Sequence, residues 1–166
     1  RKHFLAADIS RQEVLSAAGK DVDPEALGKD RPRLIQAMID GAGKKVKELY
    51  SVNKLSGIIG IGGATNTLMC TGAMKALPFG IPKLMVSSNA SARGFASRYF
   101  GAADIAIMHS VIDFTSLNDL MQDILDRAAG SIVGMVNKRA LHPTFDDLGK
   151  QAKPRVAMTM LNMCEK

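Results

Sequence analysis

Short apolar runs alternate along the chain with longer amphipathic ones, the pattern of repeated βα units around a parallel sheet. Residues 3–8, His-Phe-Leu-Ala-Ala-Asp, form the first strand-like run. Residues 10–29 are polar, contain Gly19, Asp21, Asp23, Pro24 and Gly28, and read as a loop with one turn of helix. Asp30 then caps a helix whose first turn holds Pro32, where a missing N–H is no loss. Leu34, Ile35, Met38, Ile39, Ala42, Val46 and Leu49 recur along it at helical spacing. Gly41 and Gly43 weaken this helix, each by roughly 1 kcal/mol against Ala if exposed.

Residues 57–61, Gly-Ile-Ile-Gly-Ile, are a continuous apolar run suited to a strand covered on both faces. Gly62-Gly63 turns the chain into a helix over 65–77, which Pro78, Gly80 and Pro82 end. A strand at 83–87 runs into Ser88-Asn89-Ala90-Ser91, and one at 104–108 runs into His109-Ser110-Val111-Ile112-Asp113. The clearest helix follows, with Leu117, Leu120, Met121, Ile124, Leu125 and Ala128 on one stripe and Ser116 and Asp119 spaced as a capping box. Its pattern continues through Ile132, Val133 and Val136; residues 138–153 read as a linker and 154–161 as another strand. The expected architecture is a doubly wound, Rossmann-like α/β domain with a mostly parallel sheet over residues 1–150. Residues 151–166 are expected to be the linker end and first strand of a truncated second domain.

The chain has 166 residues, 46% apolar and 23% charged, which excludes a disordered or collagen-like polypeptide. No apolar run approaches the ~20 residues of a membrane span, so no membrane partner is expected. Cys70 and Cys164 are too far apart in sequence for a disulfide framework or clustered zinc site, and read as buried thiols of a reducing cytoplasm. The formal charge is +6, and no acidic residue lies between Glu48 and Asp104, where Lys54, Lys75, Lys83, Arg93 and Arg98 fall. A field of one sign concentrates ligands of the other, here phosphate or carboxylate. Dense Lys/Arg clusters interleaved with aromatics are absent, which argues against nucleic acid as a partner.

The strongest local signal is the turn after the second strand, Gly62-Gly63-Ala64-Thr65-Asn66-Thr67. Small residues let a ligand approach the backbone, and the free N–H groups of a helix start attract an anion. The string matches neither the P-loop nor the dinucleotide fingerprint, since position 65 is Thr. A purely structural βα turn is the competing reading. Loops that follow the strands of a parallel sheet gather at its carboxyl edge, where ligands bind. That edge would also receive Ser87, Ser88, Asn89 and Ser91 from one loop and Ser110 and Asp113 from the next. Asp113 can accept from a ribose hydroxyl or a base amine, with helix capping as its alternative role. A hydrolase reading finds Ser, His109 and Asp113 but no nucleophile elbow, and no general acid–base pair stands out. The leading function is therefore binding of a small phosphorylated ligand. The alternatives are an enzyme acting on a small phosphorylated or carboxylated metabolite, and a protein-interaction domain.

Gly57-Ile58-Ile59-Gly60-Ile61-Gly62-Gly63, then Ala-Met-Lys-Ala-Leu-Pro-Phe-Gly-Ile-Pro-Lys at 73–83, then Met85-Val86-Ser87, resemble the ATP-binding domain family of the tomato mosaic virus resistance protein. Ser110-Val111-Ile112-Asp113, Leu117-Asn118, Ala128-Ala129-Gly130 and Gly134-Met135-Val136 fit the same pattern. The resemblance covers residues 30–140 and implies ATP, alone or with magnesium, as the cofactor. It also implies a Rossmann-like first domain followed by a second α/β domain. Members often read Gly-Gly-Ser-Gly-Gly-Thr where this chain has Gly62-Gly63-Ala64-Thr65-Asn66-Thr67, so Thr65 and Asn66 replace two glycines. The family's opening strand does not appear ahead of Arg1. A parallel sheet lacking one strand exposes an unpaired edge, so the chain is expected to self-associate.

Overall fold

The computed structural model describes residues 7–19, 30–115 and 117–140. Its elements are α1 (Arg11–Ala18), α2 (Arg31–Ser51), β1 (Ile58–Gly62), α3 (Ala64–Met74), β2 (Lys83–Ser87), α4 (Phe95–Tyr99), β3 (Ala106–His109) and α5 (Asp119–Ala140). The three strands form one parallel sheet in the order β1-β2-β3. The α/β architecture expected from the alternating pattern is present. The expected strand at 3–8, the linker beyond α5 and the strand at 154–161 fall wholly or mainly outside the described residues.

Strand alternation assigns the two faces of the sheet. Leu84 and Val86 of β2 pack with Ile124 and Ala128 of α5, and Met108 of β3 joins them. Met85, pointing the other way, packs with Met74 of α3 and with Ile105, Ile107 and Cys70. Helices therefore cover opposite faces, as a doubly wound sheet requires. β1 departs from the expected double burial: Ile59 and Ile61 are 38% and 40% exposed on the face that α5 covers at β2. Its other face is tight, because a Cβ on Gly60 would lie 2.6 Å from the Cβ of Cys70.

Beyond α3 lie α2 and then α1. The Asp30 carboxylate caps α2 by accepting from the Arg33 N–H at 3.2 Å, with Pro in the first turn as expected. Gly41 is not an exposed weak point. It is buried, and a Cβ there would collide with the Val14 carbonyl of α1. The polar stretch expected to be mostly loop holds eight residues of helix instead. Ser10 accepts from the Glu13 N–H, and Glu13 accepts from the Ser10 N–H at 2.7 Å, a reciprocal cap. The Ser10 hydroxyl also donates to the Glu13 carboxylate at 2.7 Å, and this bond, ahead of the one from the Ser10 N–H, holds the Glu13 carboxyl below the usual carboxylate range.

The start of α5 also differs from expectation. Asn118 caps it, accepting from the Met121 N–H at 2.8 Å, while Ser116 lies outside the described residues. Of the expected stripe, Met121, Ile124 and Ala128 are buried, whereas Leu117 and Leu120 face solvent. Among the described residues no helix is long and apolar enough to cross a membrane.

Candidate functional site

In-register pairing puts the ends of the three strands side by side: Gly62 opposite Ser87, and Ser87 opposite His109. Neighbouring strands run about 4.8 Å apart. The three loops are then tied to one another. Ser88 N–H donates to the Gly62 carbonyl at 3.3 Å, and Ser110 N–H donates to the Ser87 carbonyl at 3.1 Å.

Gly62 has φ +149°, and a Cβ there would meet the Cβ of Asn66 at 2.5 Å, so the turn itself requires glycine. Gly63 is different. Its backbone is extended, and an added Cβ would meet only the Ser88 hydroxyl, at 3.5 Å. Gly63 is the N-cap of α3 and no side chain caps that helix start. The N–H groups of Ala64, Thr65 and Asn66 belong to its first turn, where the helix carries partial positive charge. Ala64 and Asn66 are exposed and Thr65 is half-buried.

Thr67, Ser87 and Ser110 are fully buried, and their hydroxyls are engaged within the protein. Thr67 Oγ1 lies 2.9 Å from the Gly63 carbonyl and 2.7 Å from Ser87 Oγ, and Ser110 Oγ donates to the Ile112 carbonyl at 2.8 Å. Asn89 is half-buried, with Nδ2 donating to the Tyr99 hydroxyl at 3.0 Å. Ser91 and Asp113 are exposed. The structure thus brings the glycine turn, Ser87 to Asn89 and Ser110 together by direct bonds. Asp113 projects from the loop after β3 and does not cap α5, a task that falls to Asn118.

Three features were not foreseen. Arg31, at the start of α2, donates from Nη2 to Thr65 Oγ1 at 3.5 Å, placing a guanidinium beside the first turn of α3. The two are 34 residues apart, and no local pattern links them. Val111 has φ +65° and is 70% exposed, at the centre of a tight turn closed by Ile112 N–H to the Ser110 carbonyl at 2.7 Å. A β-branched residue in the left-handed region is strained, and such strain collects at functional loops. Lys83, counted above among the cations of the acid-free stretch, is buried at the opposite end of the sheet and paired with Asp104 at 2.8 Å. It adds nothing to the field at the carboxyl edge.

Burial raises the Cys70 thiol above its ordinary value, although a hydrogen bond with the Ile61 backbone opposes the rise. Among the described residues, no three His, Cys, Asp or Glu side chains come together as a metal site. The turn carries donors, small residues and a nearby guanidinium but no carboxylate, a set that fits a phosphoryl group.

The sequence model of the N-terminal domain of an uncharacterised protein family, UPF0261, matches residues 1–141. The chain belongs to this family. It is 36% identical over 162 residues to a UPF0261 protein of Clostridium tetani, an alignment covering 98% of this chain and 38% of that protein. A UPF0261 protein of Mesorhizobium japonicum is 33% identical over 163 residues, with the same two coverages. The chain thus spans well under half the length of these relatives. The ToMV resistance protein Tm-1(GCR237) of Solanum lycopersicum is 37% identical over 82 residues, 49% of this chain and 11% of that protein.

Proposed function

We propose that this UPF0261 N-terminal domain binds a nucleotide, ATP by the resemblance of its sequence, with a phosphate seated at the start of α3. The observation that carries this reading is the open first turn of α3. Its N–H groups have no side-chain cap, and Gly63 leaves the gap toward Ser88 unfilled. Arg31, held near Thr65, supplies the cation that a phosphate favours, and Ser88 and Ser91 supply hydroxyls. Asp113, on the loop two strands away, is the acceptor for a ribose hydroxyl or base amine. Thr67, Ser87 and Ser110 shape the loops and do not face the ligand.

Calorimetry with ATP, with and without magnesium, tests the reading on the wild type and on Gly63→Val. The valine should abolish binding while the fold survives, because the backbone at Gly63 suits any residue and the added side chain enters the gap beside Ser88. Unchanged affinity in the variant would remove this turn from the site.

A further inference from the structure

A chain of three hydrogen bonds runs beneath the carboxyl edge, and its direction is fixed by proton counting. Thr67 Oγ1 is within bonding distance of the Gly63 carbonyl at 2.9 Å and of Ser87 Oγ at 2.7 Å; Ser87 Oγ also accepts from the Asn89 N–H at 3.1 Å. Each hydroxyl has one proton to give. If Thr67 gave its proton to Ser87, the Ser87 proton would be left without an acceptor among the described residues, at a fully buried position. The satisfied arrangement runs one way: Asn89 N–H to Ser87, Ser87 to Thr67, Thr67 to the Gly63 carbonyl.

The Gly63 carbonyl therefore accepts twice from one residue, from the Thr67 hydroxyl and from the Thr67 N–H at 2.8 Å. In a trans peptide the carbonyl and the following N–H point in opposite directions. Holding the Gly63 carbonyl inward thus holds the Ala64 N–H outward, toward the open edge of the sheet. The far end of the chain is the backbone of Asn89, whose side chain is anchored on the buried Tyr99 hydroxyl. We propose that Thr67 and Ser87 are positioning residues that couple the loop after β2 to the Ala64 N–H, so that a ligand engaging one loop finds the other already aimed. The ligand part of this inference rests on the reading of the glycine turn as an anion site.

Thr67→Val preserves shape and removes the hydroxyl, Thr67→Ser restores it, and Ser87→Ala breaks the chain at its middle. With ATP as the probe, Thr67→Val and Ser87→Ala should each weaken binding by about tenfold, and Thr67→Ser should stay close to wild type. The double variant should bind no worse than either single one, since both cut the same chain. Amide NMR spectra recorded without nucleotide give a second readout: Thr67→Val should move the Ala64 and Asn89 signals together, and Thr67→Ser should return both. Ser87→Ala carries the same test if Thr67→Val fails to fold. A wild type that ignores ATP would sink the nucleotide reading, and the coupled amide shifts would still decide the relay. A stationary Ala64 signal, or additive losses in the double variant, overturns the relay itself.

Discussion

The two ends of the same parallel sheet are finished in opposite ways. At the amino end, the Lys83 side chain is 1% exposed and its ammonium meets three acceptors: Asp104 Oδ1 at 2.8 Å, the Pro78 carbonyl at 2.8 Å and the Ile81 carbonyl at 3.2 Å. Asp104 uses its other oxygen to accept from the Gly80 N–H at 2.6 Å. Every proton of the ammonium is spent, and the turn entering β2 is clamped to the residues entering β3. At the carboxyl end the buried hydroxyls are equally well satisfied, yet the helix start above them is left without a cap. Buried polarity closes one end of the sheet, and at the other it underlies a helix start that no side chain caps. A charge inside a protein is therefore no pointer to a ligand until its partners have been counted.

The largest effect is expected where closure is broken. Asp104→Ala leaves the Lys83 ammonium buried with only carbonyl partners, and breaking a buried pair in this way costs about 3–5 kcal/mol. The Asp104 side chain is 23% exposed, so solvent screening argues for the lower part of that range. Lys83→Met should cost less, because the carboxylate left behind reaches water and keeps its Gly80 bond. Urea denaturation compares the two, and equal losses would contradict the asymmetry. Neither change should alter ATP affinity per folded molecule if the two ends are independent.

Gly62→Ala addresses the carboxyl end. The positive φ and the contact with Asn66 predict a loss of roughly 1–3 kcal/mol. Gly63→Val, one residue on, should cost little stability and remove binding. The same measurement on both variants separates the glycine that makes the turn from the glycine that leaves room beside it. If both prove equally destabilising, the distinction fails.

What the sequence disclosed followed from how local each signal is. The cap at Asp30, the five residues of β2 and the glycine turn rest on neighbouring residues and are read directly. α1 was hidden because Leu15 is its one buried residue, so no apolar stripe advertises it. Ser10 and Glu13, three apart, were the available signal. The burial of Lys83 depends on Asp104, 21 residues on, and the approach of Arg31 to Thr65 on the packing of α2 against α3. Such pairings are set by tertiary structure and leave no periodic trace. The exposure of Ile59 and Ile61 is of the same kind, since the run reads alike whether one face or both are covered.

Those two isoleucines set a third, smaller test, of the sheet's border rather than its ends. β1 has a single strand neighbour among the described residues, and its open face is apolar. Unpaired strand edges invite association. Light scattering should find a dimer or larger species, and Ile59→Thr with Ile61→Lys should shift the distribution toward monomer. A monomer before and after the change would show that this border is not adhesive.

The smallest stability effect is expected at Asp113. Its side chain is exposed and Asn118 performs the capping of α5, so Asp113→Ala should leave stability within about 0.5 kcal/mol of wild type. A lost cap would instead cost about 1 kcal/mol, which urea denaturation resolves. The same variant should weaken ATP severalfold if the carboxylate meets the ribose or base, and should leave inorganic phosphate binding untouched, because phosphate alone reaches only the start of α3. Equal weakening of both ligands would mean that Asp113 acts through the general field of the edge. No change in either would confine the site to the glycine turn, Ser88 and Arg31, and the open end of the sheet would then hold a phosphate without selecting the rest of the molecule attached to it.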